Sequence, residues 1–357
     1  MNNKRATLVY GFWAQNIGNA FFNLGGRWVL QQVFGESQVS VIRDQPGYRT
    51  FYNQSRGNPK KDFGLLSHID TDYVVLQGPV MTANMEALWG PAFAYYKKRG
   101  IKVILLGAAF FKYTEEEISA VRRFFDKYAP VAISTRDSVS YEIIKDWVPA
   151  THDGIDSAFF VPDVVRPFKL DVGDYCVLNF DRFPEPNIAL GGAPDAGADH
   201  NFEWGGQHWA LREPGLQRWF SHKGKAWAYM GHLLDRRNLP TSVAGMTVIR
   251  PEHRYAPHMT FKIYKDAHAI TSDEPYTFLS VYAGSTLTLA DRVHACVATL
   301  AFGNPAMLFT PSPRQALFAR LGLEDIRKRP VTLDPEYLQV QKDAVVAFIN
   351  RVVNEDA

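Results

Sequence analysis

The chain predicts an α/β fold whose mostly parallel strands are shared between two domains. Three observations lead there. Short apolar runs alternate with helix-like segments through the first half, the pattern of repeated βα units. At 357 residues the chain exceeds one comfortable core. Pro162 and Pro167 bracket a turn-rich stretch that reads as a linker. The expected division is residues 1–165, residues 166–334, and a closing segment 335–357 that packs back across the domains.

In the first domain, strands are expected at residues 6–11, 73–77, 103–106 and 132–134. Helices are expected between them. Residues 20–34 follow the polar turn Asn16-Ile17-Gly18-Asn19, and residues 84–99 stop at Gly100. Residues 114–128 open as a Thr-x-x-Glu capping box at Thr114 and Glu117. Residues 138–147 are capped by Ser138 or Asp137. The second domain begins with a strand at 175–180 and resumes regular pattern around 247–284. A strand at 286–290 then leads into an apolar helix, 295–302, stopped by Gly303 and Pro305, and the last helix covers 335–353.

Between those parts, residues 183–245 are rich in Gly, Pro, His and Trp and show weak periodicity, so a long loop or lid is expected there. Trp204, Trp209, Trp219 and Trp227 have two readings: stacking on the apolar faces of sugar rings, or packing of the insertion onto the body.

Composition narrows the function classes. Thirty-nine basic residues against 37 acidic ones give a formal charge of +2, so charge balance offers no polyanion surface and nucleic acid is not the expected partner. The two cysteines, Cys176 and Cys296, stand far apart in apolar runs and suggest a reducing compartment. No apolar stretch approaches the roughly 20 residues a spanning helix needs, and the first residues lack a signal-peptide core. These features suggest a cytoplasmic protein, with peripheral membrane association and oligomeric state left open. His200, His208, His222, His232, His253 and His258 show no H-E-x-x-H or similar spacing, so no metal site is expected.

The segment richest in chemistry is residues 289–309, LADRVHACVATLAFGNPAMLF. It sets Asp291, Arg292, Val293 and His294 where a strand gives way to a helix, and an anion is drawn to a helix start. Arginine grips carboxylate or phosphate and histidine moves a proton. The alternative is that both simply cap and solvate the helix. Asn16 and Asn19 occupy the corresponding turn after the first strand, without the G-x-G-x-x-G spacing of a dinucleotide site. Gln77-Gly78-Pro79 follows the second strand and is a candidate for the interdomain cleft. Arg136, Asp137, Asp153, Asp156 and Asp163 read as structural groups. Arg182, just past the strand at 175–180, is a candidate partner of Arg292 in a cationic clamp.

In order along the chain, NIGNAFFNLGG (16–26), ISTRDSVSYEIIK (133–145), DGIDSAFFVPD (153–163) and ADRVHACVATLAFGNPAML (290–308) resemble the polysaccharide pyruvyl transferase family. The resemblance implies two Rossmann-like domains facing across a cleft, in the GT-B-like manner. It also implies transfer of pyruvate from phosphoenolpyruvate to two saccharide hydroxyls as a cyclic ketal, in surface polysaccharide or exopolysaccharide assembly. The acceptor would be a saccharide carried on a lipid or a nucleotide, with no cofactor beyond the donor itself. Arg292 and His294 match the family's donor motif as catalytic residues, and Arg182, Arg292, Val293 and His294 as donor-binding ones. Asp291 or Asp181 would accept a hydroxyl proton. His294, beside the donor anion, would stand protonated as the general acid. The chain departs from the pattern at Ala295, where the family usually has glycine, at Asn19, where it has aspartate, and at the reduced turn after Gln77. A nucleotide-sugar glycosyltransferase on the same scaffold and a non-catalytic saccharide-binding subunit are the other readings.

Overall fold

A computed structural model describes residues 4–11, 13, 16–43, 64–181, 183–215, 219, 227, 230–231, 234–235, 237–253 and 266–355. Its first sheet holds β1 (Ala6–Val9), β2 (Val39–Ile42), β3 (Tyr73–Met81), β4 (Lys102–Phe110), β5 (Ala132–Thr135) and β6 (Ala150–His152). All pair in parallel, in the order β2-β1-β3-β4-β5-β6. β3 and β4 are apolar almost without interruption because helices cover both faces. Those helices are α1 (Gly18–Phe34), α2 (Met85–Arg99), α3 (Glu115–Tyr128) and α4 (Ser138–Ile144).

Local chemistry sets their ends. Gly100 closes α2 in the left-handed region, at φ 70°. Thr114 caps α3 by accepting from the Glu117 N–H. Glu117 does not complete the expected box. Its Oε2 accepts from the N–H groups of Phe111, Lys112 and Tyr113 at 3.1, 2.7 and 2.8 Å, which supports Tyr113 at the unusual φ of 59°. Asp137, and not Ser138, caps α4 by accepting from the Ser140 N–H at 2.7 Å.

The second sheet has the order β11-β12-β7-β14-β15. Its strands are β7 (Tyr175–Asn179), β11 (Ser242–Val243), β12 (Met246–Pro251), β14 (Leu287–Ala290) and β15 (Ala306–Leu308), with β13 (Ala269–Ile270) pairing in parallel with β12. α5 (Pro275–Ala283) and α6 (Val293–Ala301) belong to this half. The last helix, α7 (Pro335–Glu355), returns to the first half: Phe348 stacks on His152 at 5.1 Å, Lys342 pairs with Asp163, and the Lys4 ammonium donates to the Val353 carbonyl.

The expected loop at 183–245 instead contains a three-stranded antiparallel sheet, β8-β10-β9, formed by β8 (Asn187–Leu190), β9 (His200–Trp204) and β10 (Gln207–Arg212). Gly205 and Gly206 both take positive φ, 62° and 75°, which a two-residue hairpin turn requires. The inward face of this sheet is apolar. Trp209 is fully buried, stacks on Phe202, and packs with Leu178, Leu289 and Met307 of the second sheet. Trp209 therefore follows the packing reading, whereas Trp219 and Trp227 are 53% and 45% exposed.

One apolar cluster runs through both halves, joining Phe21, Phe22 and Val29 of α1 to Phe278, Tyr282 and Val297 of α5 and α6. Two Rossmann-like domains thus meet with α1 against α6. Gly25 permits the close fit of α1 onto the turn beside Asp156, since a Cβ there would lie 1.8 Å from the Ser157 carbonyl oxygen. Gly25→Ala should cost about 1–3 kcal/mol through this overlap. It should appear as a lower midpoint in chemical denaturation; an unchanged midpoint would mean that the contact is slack.

Candidate functional site

Each sheet has a point where strand order reverses, and in open α/β sheets ligands bind in the crevice at the carboxyl ends of the strands there. In the first sheet the reversal lies between β1 and β3, in the second between β7 and β14. The chain leaves β1 toward α1 through the Asn16–Asn19 turn, and leaves β14 toward α6 through Asp291 and Arg292. The two helix starts meet: a Cβ on Gly18 would lie 2.9 Å from His294 Nδ1, and the Phe22 ring is 5.6 Å from the His294 ring. The Ile17 N–H donates to the His253 carbonyl at 2.9 Å, tying the turn to the second domain.

Among the described residues neither helix start has a side-chain cap, so the positive ends of two dipoles converge. His294 is the second residue of α6 and only 5% exposed. Its Nε2 lies 3.7 Å from Asp156 Oδ2. That separation is an electrostatic contact and too long for a hydrogen bond. The same Asp156 oxygen accepts from Arg136 Nη1 at 3.0 Å, and both partners are 1% exposed. Asp156 Oδ1 accepts from the Ala158 N–H. Among the described residues, Arg136 Nη2 and His294 Nε2 are buried without a hydrogen-bond partner. Orphaned buried donors are uncommon and ask for an explanation.

A second polar group lies at the ends of β7, β12 and β14. Arg292 Nε donates to Asp181 Oδ1 and stands 3.7 Å from Asp291, while its Nη2 is buried without a partner among the described residues. Asp181 Oδ2 accepts from the His253 N–H at 2.8 Å, and Asp291 Oδ2 from the Phe183 N–H at 2.6 Å. His253 Nε2 contacts the Tyr282 hydroxyl.

Protonation follows from burial and charge. Burial raises the Asp156 carboxyl, but pairing with His294 and Arg136 outweighs it and holds the group below the usual range. His294 is lowered, because burial outweighs the attraction of Asp156 and the charges of Arg136 and Arg314 add to the effect. The imidazole is thus neutral at neutral pH in the free protein, and the expected protonated form belongs to the donor-bound state. Burial drives His253 down to about 3. Arg292 is also desolvated, yet Asp181 and Asp291 raise it.

The structure therefore brings Asn16, Asn19, Asp291, Arg292, Val293 and His294 to one junction. Asp181 joins it as the partner of Arg292, and both its oxygens are engaged. Arg182, and with it the clamp to Arg292, lies outside the described residues. Gln77 does not reach His294. It is buried, donates to Ser157 Oγ, and lies against Gly26.

Arg136 and Asp156, read from sequence as structural, stand beside His294. The available signal was position, since both follow strands of the first sheet at their carboxyl ends. Asp153 and Asp163 do keep the structural role, pairing with Arg320 and Lys342. Ala295 is fully buried in the shared apolar cluster, so its methyl is accommodated by packing. No three His, Cys, Asp or Glu side chains gather to hold a metal ion among the described residues, and no helix there is long and apolar enough to cross a membrane.

A family model described as polysaccharide pyruvyl transferase matches residues 16–313. The S. aureus MnaA–UDP co-structure superposes with a TM-score of 0.50 at 10% identity, covering 97% of this chain and 91% of that one. A structure of UDP-N-acetylglucosamine 2-epimerase gives 0.50 at 11% identity, covering 98% and 91%. At such identities the likeness is one of GT-B-like fold. No curated protein matches the sequence.

Proposed function

Since the chain belongs to the polysaccharide pyruvyl transferase family, we propose that it moves pyruvate from phosphoenolpyruvate onto two hydroxyls of a saccharide as a cyclic ketal. The observation that carries this reading is the set of buried nitrogens on Arg136, Arg292 and His294 that have no partner among the described residues, where two helix starts without side-chain caps meet. Phosphoenolpyruvate brings a carboxylate and a phosphate. Two guanidinium groups and two helix starts match those anions and orient C2 for attack.

His294 then supplies a proton, either to the methylene carbon, which becomes the methyl group, or to the departing phosphate. One saccharide hydroxyl adds at C2, the bond from C2 to the phosphate oxygen breaks, and the second hydroxyl closes the ring. Each hydroxyl loses a proton in turn. Asp181 and Asp291, both beside Arg292, are the expected bases. The donor needs no metal in this scheme, and the acceptor is taken to be a saccharide carried on a lipid or a nucleotide.

The test is protection of the full chain against heat by candidate donors. At a hundredfold excess over its dissociation constant, phosphoenolpyruvate should stabilise the protein by about 2.7 kcal/mol, and a panel of nucleotide-sugars should not. Protection by a nucleotide-sugar alone would move the assignment to glycosyl transfer. No protection by any donor would leave a saccharide-binding subunit.

A further inference from the structure

Asp156 is shared by two groups that both need it. Its Oδ1 accepts from the Ala158 N–H, and its Oδ2 faces both Arg136 Nη1 at 3.0 Å and His294 Nε2 at 3.7 Å, within hydrogen-bond distance of the first alone. In the free protein it has chosen Arg136. A carboxylate with 1% exposure has to remain paired, so it can leave Arg136 only if another cation receives it. A protonated His294 is less than an ångström beyond hydrogen-bond reach. Arg136 in turn carries a buried Nη2 with no partner among the described residues; an anion received there neutralises the guanidinium and weakens its hold on Asp156 through Nη1.

We propose that Asp156 is the positioning residue of His294: a donor anion occupies Arg136 and releases Asp156 to accept a hydrogen bond from the protonated Nε2, making donor binding and protonation of the acid one event. The proposal rests on the phosphoenolpyruvate reading above. No bond to carbon or phosphorus changes in this step; one proton passes from hydronium or buffer acid to Nε2, forming its N–H bond and leaving water or buffer base.

The surroundings of His294 allow it. Asp156 comes from the turn after β6, Arg136 from the end of β5, and Arg314 adds positive charge from beyond β15. From α1 it meets Phe22 and Gly18, and the first turn of that helix carries no acidic residue. Burial and the two arginines disfavour the charged imidazole in the free protein. An anion on Arg136 offsets one of them and returns Asp156 to His294, and both changes raise the histidine. With the bound pKa above the free one, donor affinity should be greatest below the free-state pKa. It should fall about tenfold per pH unit between the two values.

Calorimetry of phosphoenolpyruvate binding to the full chain, in two buffers of different ionisation enthalpy, reads the proton directly. The donor's own phosphate has a pKa of about 6, so His294→Gln supplies the background. Wild type should take up as much as about one proton more than His294→Gln. Asp156→Asn should lose most of that difference and lower kcat about tenfold or more, with KM changed less than about threefold. Asp156→Glu should recover part of both. Equal uptake by wild type and His294→Gln, with the donor bound to each, would overturn the coupling and leave the donor assignment standing. A donor that fails to bind wild type would overturn both. Uptake by Asp156→Asn equal to that of wild type would overturn the positioning role; if that variant does not fold, Asp156→Glu reads it, and identity with wild type in both uptake and kcat would overturn it.

Discussion

Glutamine in place of His294 should lower phosphate release from phosphoenolpyruvate, with acceptor present, by about 10²–10⁴-fold, the usual contribution of a positioned general acid. The fold should survive. Nε2 makes no hydrogen bond to lose among the described residues, glutamine is near the imidazole in size, and the surrounding contacts with Phe22 and Gly18 are packing contacts. The arginines that would hold the donor are untouched, so KM should move far less than kcat. The measurement is steady-state phosphate release beside a thermal melt. Turnover within about threefold of wild type, in a protein that melts normally, would remove His294 from the chemistry.

The outline of that site was legible because its pieces are local. Thr288, Leu289 and Ala290 form an apolar strand, Arg292 and His294 follow it, and Gly303 ends the helix, so one segment specified both the element and the crevice it opens into. Arg136 and Asp156 were not legible as site residues. Each looks like an ordinary turn residue in its own segment, and only the sheet order brings their strands' ends to face α6. The neutral state of His294 in the free protein was not legible because its sign depends on depth. A neighbouring anion raises a histidine, but burial outweighs Asp156 here, and burial of a helix start cannot be read from spacing.

The same distinction runs through the fold. β1, β3, β4 and β5 were expected because strands buried on both faces are apolar runs. β2 and β6 lie at the sheet edges, are four and three residues long, and are partly exposed, so they carry no such run. The insertion was misread for a different reason. In β9 and β10, Asn201, Glu203 and His208 alternate with Phe202, Trp204 and Trp209, and Gly205-Gly206 divides them. That is hairpin pattern and turn chemistry, obscured by a composition that resembles a loop.

Arg292 is the position where loss of activity and loss of fold become hard to separate. Its guanidinium lies against Asp181 and Asp291, which are 6% and 5% exposed, and it is the arginine that pairs with both among the described residues. Arg292→Ala should therefore destabilise the protein by about 3–5 kcal/mol, because breaking a buried pair strands the remaining charge. That is a large share of the roughly 5–15 kcal/mol that holds a native protein together. Asp181 and Asp291 raise the arginine further, against the cost of burial, so it stays charged throughout the accessible pH range and the loss should be present at neutral and mildly alkaline pH alike. Arg292→Lys, which keeps a charge but not the forked geometry, should recover part of the stability and less of the turnover. Chemical denaturation of the three proteins at two pH values measures this. If Arg292→Ala unfolds at the wild-type midpoint, the arginine serves the ligand alone, and inactivity of that variant becomes direct support for its place on the donor.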